Sequence, residues 1–155
     1  MYKKVIAVFG LISLLLVATT GATAKEAQSE KQAKAAIKYR QAILRLVVSN
    51  MGTLGGMAKG VIPFNAEKVN KNGMRIGQLS NMMPDYFAID TTKFDLSTDS
   101  LPKIWDNMDD FKSKIKTLQS AASGLQKVTD EAGFKSAFGD LRKSCKGCHD
   151  EYKVE

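Results

Sequence analysis

The pentapeptide Cys-Lys-Gly-Cys-His at positions 145–149 constrains this chain more than any other feature. Two thiols three residues apart lie on one face of a helix, so both can add to the two vinyl groups along one edge of a porphyrin. The histidine that follows directly can bind the iron as its proximal ligand. Cys145, Cys148 and His149 are the only cysteines and the only histidine of the 155 residues. We therefore predict one haem c per chain, attached covalently through both cysteines.

Three other roles for the two cysteines fit less well. A disulfide between Cys145 and Cys148 would close a very tight loop within a helical stretch, which is poor disulfide geometry. A thioredoxin-type pair opens a helix inside a βαβ unit, whereas this pair follows a helical pattern. Structural zinc needs four ligands, and two cysteines with one histidine supply three.

The N-terminus has the pattern of a secretory signal peptide. Lys3 and Lys4 precede an apolar run at 5–18, and small residues at 22–24 form a cleavage site. An uncleaved membrane anchor is the alternative, but the apolar run is short for a transmembrane span. We predict cleavage after Ala24, a periplasmic location, and a mature domain at 25–155 with no membrane span.

The charge pattern argues against nucleic-acid binding. The whole chain has 23 basic and 16 acidic residues. Removing residues 1–24 takes away two lysines and no acid, so 21 basic residues remain against 16 acidic ones, a formal charge of about +5. The basic residues are spread along the chain and aromatic residues do not interleave with them. A surface of this kind suits acidic partners, such as redox proteins.

Apolar spacing predicts four helical segments in the mature chain. The first starts near Glu26 and ends at Gly60, and we place its inward seam at Ile37, Gln41, Leu44, Val48 and Met51. The second is capped by Asn65 and closed by Pro84. Residues 84–101 contain turn formers without a sustained period, which predicts a long crossover loop.

The third segment starts at Pro102 and carries the most regular apolar spacing in the chain, from Ile104 to Leu125. After a break at 129–133, the last segment continues from Phe134 to Tyr152 and places both cysteines on its inward seam. No strand-like alternation of useful length follows residue 24. The fold class is therefore all-α, an antiparallel four-helix bundle with one long crossover loop.

The sixth coordination position of the iron decides between functions. A second histidine does not exist, and methionine is the other common ligand; the candidates are Met51, Met57, Met74, Met82, Met83 and Met108. Each of them is also suited to filling a helix core. The first helix presents Ile43 and Leu44 opposite the haem, and neither can ligate iron. Arg40 suits a haem propionate, and Gln41, a polar residue on the seam, needs a partner that the haem would supply.

Five stretches resemble the cytochrome c′ family, the class II c-type cytochromes with a C-terminal haem motif. They lie at 39–41, 57–64, 101–105, 137–140 and 144–150, in the order expected of that family. The resemblance implies a homodimer packed through the first two helices. It also implies that Arg40 and Gln41 contact the haem, that Leu44 shields its distal face, and that His149 ligates the iron. Lys153 departs from the arginine that many relatives have near the proximal histidine.

Two functions remain open. The resemblance implies five-coordinate, high-spin iron that binds nitric oxide and carbon monoxide, in a periplasmic protein that sequesters nitric oxide and also transfers electrons. The alternative is a six-coordinate, low-spin electron-transfer cytochrome in which a methionine completes the coordination. An enzyme is disfavoured, because no distal pair of histidine and arginine is available to assist peroxide cleavage.

Overall fold

The computed structural model describes residues 24–154. The predicted signal peptide at 1–24 therefore lies outside the described residues, apart from Ala24, which packs against the core. The elements in chain order are β1 (Lys25–Glu26), α1 (Glu30–Ala58), α2 (Ala66–Phe87), β2 (Ile89–Asp90), α3 (Lys103–Asp106), α4 (Met108–Leu125) and α5 (Glu131–Tyr152). Within this part of the chain, no helix is long and apolar enough to cross a membrane.

Side-chain caps define where the helices begin. Ser29, Asn65 and Asp130 each adopt extended backbone and accept a hydrogen bond from the backbone N–H three residues later, at the start of α1, α2 and α5. The cap at Asn65 was predicted, whereas α1 begins at Glu30 and not near Glu26. Gly60 ends the first helical region as predicted, because its φ of 71° lies in the left-handed region that glycine adopts readily.

Two further predicted boundaries are wrong by about one turn. Pro84 does not close α2; the helix continues to Phe87, whose buried ring packs 4.8 Å from that of Phe111. This packing holds the last turn although Pro84 cannot donate a backbone hydrogen bond. The last helix starts at Glu131, three residues before Phe134. Two short strands, β1 and β2, also pair in parallel, where the sequence predicted none.

The four long helices form the predicted bundle. Tyr39 near the start of α1 contacts Tyr86 near the end of α2, and Phe111 near the start of α4 contacts Tyr152 at the end of α5. Neighbouring helices are thus antiparallel. On α2, a Cβ at Gly73 would lie 2.7 Å from the Cβ of Leu125, so glycine permits the close approach of α2 and α4.

The packing around the bundle is uneven. α1 packs along α2, α2 along α4 and α4 along α5, whereas α1 and α5 barely touch. One side of the bundle, between the first and last long helices, is therefore the least closed. We call this side the α1–α5 flank. It places the Cys-x-x-Cys-His motif, which lies on α5, beside the bundle's most open seam.

Candidate haem-binding site

The motif occupies the last two turns of α5. Cys145 and Cys148 are free, half-buried thiols, and Cys148 packs against the hydrophobic core. Ser144 and Gly147 line a groove shared with α4. At 100° per residue, His149 lies on the opposite flank of α5, toward α1, where its side chain is exposed. The helix therefore turns both thiols inward and the imidazole toward the α1–α5 flank.

Burial keeps both thiols protonated near neutral pH. It raises the pKa of Cys145, and it raises the pKa of Cys148 to about 11, with the neighbouring Cys145 adding to the effect. Lys114 and Asp110 act on Cys148 in opposite directions. The two sulfur atoms are thus held as neutral thiols, and a net addition of S and H across each vinyl group would give the two thioether bonds.

A row of contacts crosses the bundle at the level of the C-terminal end of α5. The guanidinium carbon of Arg40 lies 5.5 Å from the centre of the Phe87 ring, Phe87 contacts Phe111, and Phe111 meets the ring of Tyr152 edge-on at 5.2 Å. Leu44 follows Arg40 by four residues on α1, and Cys148 precedes Tyr152 by four on the antiparallel α5. Since four residues rise about 6 Å in a helix, Leu44 and Cys148 lie at the same level.

The two flanks of α1 differ in what they face. Tyr39 packs on Tyr86 of α2, which fixes the α2 side of the helix. Gln41, Leu44 and Val48 follow one another at helical steps on the opposite side, toward α5, and all three are exposed. Gln41 and Leu44 therefore line the α1–α5 flank, at and next to the level of the haem motif.

The predicted inward seam of α1 is correct at its two ends and wrong between them, since Ile37 is buried and Met51 packs against the core. Gln41, Leu44 and Val48 do not lie in the protein core; Arg40 and Ile43 do, with exposures of 1% and 4%. The polar residue that needs a partner inside the bundle is thus Arg40, not Gln41. The inward seam predicted for α5 agrees better with the structure, since Phe134, Phe138 and Leu141 are buried.

Arg40 is enclosed by residues that no sequence pattern associates with it. Its Nη1 donates to the carbonyl of Ile89 at 3.2 Å and its Nη2 to Oγ1 of Thr91 at 2.8 Å. Its guanidinium carbon lies 5.0 Å from the centre of the Trp105 ring. Its Nε is buried and has no hydrogen-bond partner. Burial lowers the pKa of Arg40 to about 10, although Asp90 partly offsets this.

Tyr152 is a further residue at this level that sequence analysis treated only as part of the seam. Its ring is buried, and its hydroxyl donates to Oδ2 of Asp110 at 2.6 Å. Burial, together with this hydrogen bond, raises the pKa of Tyr152 above its ordinary value. The contact ties the C-terminal end of α5, one turn beyond Cys148, to the first turn of α4.

The methionines are distributed between core and outer surface. Met57, Met83 and Met108 are buried in the hydrophobic core, and Met51 packs against it. Met74 and Met82 are exposed on α2, and Met82 lines a groove between α1 and α2. Met51 lies two turns, or about 10 Å, along α1 from Leu44. At the level of Cys148, the residues of α1 on the α1–α5 flank are therefore not methionines.

Comparisons with known proteins agree with this architecture. A family model described as Cytochrome C′ matches residues 35–153. Cytochrome c-554 from Cereibacter sphaeroides is 32% identical over 131 residues, which are 82% of this chain and 86% of that protein. Cytochrome c′ from Rubrivivax gelatinosus is 32% identical over 121 residues, covering 76% of this chain and 92% of the relative.

Solved structures give the same result. Cytochrome c prime from Shewanella frigidimarina superposes with a TM-score of 0.70 at 36% identity, covering 79% of this chain and 97% of the other. A variant of cytochrome c prime from Alcaligenes xylosoxidans with bound nitric oxide superposes with a TM-score of 0.69 at 32% identity, covering 79% and 96%. The four-helix bundle, the C-terminal haem motif and these matches lead to one conclusion. The chain belongs to the cytochrome c′ family, whose members carry covalently bound haem c.

Proposed function

We propose that this chain is a periplasmic haem protein with five-coordinate, high-spin iron that binds nitric oxide and carbon monoxide. Its role is to sequester nitric oxide and so protect against it, and it also transfers electrons. It acts as a binding protein and not as an enzyme. Haem supplies an iron centre with one coordination position open to a diatomic gas and a one-electron couple. The chain supplies attachment, a single ligand and the shape of the pocket.

The residues of the site fit a haem group. Cys145 and Cys148 are free thiols turned inward, and His149 lies on the flank where α1 and α5 leave room between them. The buried Nε of Arg40 is a donor without an acceptor, one turn from Leu44. An anionic propionate would satisfy it and would also compensate a buried cation. Attachment by two thiols, ligation by His149 and pairing by Arg40 are therefore the proposed roles.

One observation carries the five-coordinate proposal. At the level of Cys148, α1 turns Leu44 toward α5, flanked one turn away by Gln41 and Val48. None of the three has an imidazole or thioether that could bind iron strongly. An aliphatic side chain at this position covers the distal side without ligating. His149 then remains the one strong protein ligand.

The same residues support selectivity between gases. Haem proteins that hold oxygen use a distal hydrogen-bond donor to stabilise it. Leu44 and Val48 offer no donor, whereas nitric oxide and carbon monoxide depend less on one. The related Alcaligenes xylosoxidans protein has been solved with nitric oxide bound. We propose that this chain binds nitric oxide as well.

The proposed assembly is a homodimer formed through α1 and α2. Leu46 and Met82 are exposed apolar side chains that line the groove between these helices, on the side of α1 facing away from the α1–α5 flank. Dimerisation there would leave the haem site open. Export follows from the predicted signal peptide, and the attachment of haem after export agrees with thiols that remain unpaired in the folded chain.

Optical spectra of the purified haem protein test the proposal. The ferric protein should show a high-spin spectrum without a methionine–iron charge-transfer band, and the ferrous protein should bind nitric oxide and carbon monoxide in titrations. A low-spin ferric spectrum with that band would overturn the proposal. The six-coordinate electron-transfer cytochrome would then be the correct function.

A further inference from the structure

Strand β2 is hydrogen-bonded along both of its edges. On one edge, backbone N–H groups of β1 and the residue after it donate to the carbonyls of Ala88 and Asp90, at 2.9 and 2.8 Å. Because successive carbonyls of an extended strand point in opposite directions, the carbonyl of Ile89 faces the other way. There it accepts the hydrogen bond from Nη1 of Arg40. The guanidinium occupies the edge where a third strand would otherwise pair.

Thr91, the residue after β2, completes this hold on the guanidinium. It is 3% exposed, and its Oγ1 accepts the 2.8 Å hydrogen bond from Nη2 of Arg40. Among the described residues Arg40 forms no ion pair. Its orientation therefore depends on neutral acceptors of the crossover segment and on the rings of Phe87 and Trp105.

We propose that Thr91 is a positioning residue, which, together with the β1–β2 pair, orients Arg40 toward the haem propionate. With Nη1 and Nη2 each engaged by the crossover segment, Nε is the one guanidinium nitrogen without a hydrogen-bond partner, and it is therefore available to an anion. The N-terminal strand β1 thus helps to hold the haem site in place, although it is far in sequence from the Cys-x-x-Cys-His motif. The inference rests on the proposed contact between Arg40 and the propionate.

The physical consequence concerns the electrostatics of the site. A guanidinium held beside a propionate neutralises a negative charge close to the iron, which favours the reduced state and raises the reduction potential. If the guanidinium is free to rotate, this effect weakens. Removing the hydroxyl of Thr91 should therefore lower the potential without changing any residue that touches the haem.

The experiment compares reduction potentials of the haem-loaded protein in four variants. Arg40→Gln removes the guanidinium and so gives the largest expected decrease in reduction potential. Thr91→Val should lower the potential in the same direction by a smaller amount, and Thr91→Ser, which restores the hydroxyl, should return it toward the wild-type value. Thr92→Val is the matched control, because Thr92 is exposed and its side chain forms no hydrogen bond with Arg40 in the described structure. Its potential should equal that of the wild type.

A second variant acts on the other edge of β2. Ala27→Pro removes the N–H that donates to the carbonyl of Asp90 and should lower the potential as Thr91→Val does. If Arg40→Gln lowers the potential while Thr91→Val and Ala27→Pro leave it unchanged, the positioning role is wrong and the propionate contact stands. If Arg40→Gln also has no effect, the propionate contact itself is wrong, and the inference fails with it.

Discussion

Ile43 and Leu44 are neighbours on α1 that face different surroundings. Ile43 is 4% exposed and belongs to the hydrophobic core, whereas Leu44 is 38% exposed on the flank toward α5. The sequence offered both as candidates to cover the iron. The orientation of α1 supports Leu44 alone, because the side chain of Ile43 is already occupied in packing between helices.

Replacing Leu44 by alanine should speed the binding of carbon monoxide to the ferrous protein. The leucine must move before a ligand enters, and each ~1.4 kcal/mol of that barrier is worth a factor of ten in rate. We expect at least about a tenfold increase, measured by stopped-flow mixing. Leu46→Ala is the matched control, since the same truncation on the α2 side of the helix should leave the rate unchanged. An unchanged rate in Leu44→Ala would identify Val48 as the next residue to test.

Haem attachment should require both thiols. With either Cys145→Ser or Cys148→Ser, acidified acetone should extract at least part of the haem, because one thioether is lost. The double variant should be isolated as apoprotein after export. Ser144→Ala, which changes a buried neighbour but neither thiol, should retain covalent haem. Covalent haem in the double variant would refute the attachment site.

The groove between α1 and α2 should mediate dimerisation. Sedimentation of the wild-type protein at micromolar concentration should give about twice the monomer mass. Leu46→Asp should shift it to monomer, because a charge placed in an apolar interface is costly to bury. Val154→Asp changes another exposed apolar residue, away from this groove, and should remain dimeric. A monomeric wild-type protein would contradict the proposed dimer and would leave the proposed haem site unaffected.

Tyr152 should make the folded protein sensitive to alkaline pH. Its pKa is raised in the folded state by burial and by the hydrogen bond to Asp110, while in the unfolded chain it is about 10. The stabilisation is fully present below pH of about 10. It is lost at higher pH, because the unfolded state then binds fewer protons than the folded state.

Urea unfolding of wild type and Tyr152→Phe between pH 7 and 11 measures this effect. At pH 7 the variant should be less stable by about 1 kcal/mol, since the hydrogen bond to Asp110 is lost. The difference should shrink as the pH rises above about 10, because phenylalanine has no proton to lose. Tyr39→Phe, in an exposed ring, should follow the wild type at every pH. A constant difference for Tyr152→Phe would contradict the assigned cause.

The fold was largely predictable because its determinants are local and periodic. Asn65 and Gly60 act where their chemistry predicts, and the apolar spacing of the last helix gives the correct buried face. The error on α1 has a physical origin. Helical spacing placed Gln41 on the inward seam, and charged residues such as Arg40 usually lie at the surface. Arg40 is buried instead, because acceptors at Ile89 and Thr91, about fifty positions away, become available on folding.

The short elements could not have been predicted from periodicity. β1 and β2 are two residues each, too short to show alternation, and they pair residues that lie 64 positions apart in the sequence, Lys25 with Ile89 and Glu26 with Asp90. Phe87 illustrates the same limit, because its contact with Phe111 extends α2 past Pro84. Such features depend on tertiary contacts that no local pattern encodes.

The least closed side of the bundle joins the first and last long helices to be synthesised. The pairs α1–α2 and α4–α5 each connect through a short loop, so they can assemble from local contacts at a small entropic cost. Bringing α1 to α5 requires the whole intervening chain to be ordered. Few contacts between these two helices compensate the entropic cost of that ordering. We expect that the haem, held by α5 and covered by α1, fills the space between these two helices. The packing of α1 against α5, the final step of folding, would then depend on haem attachment.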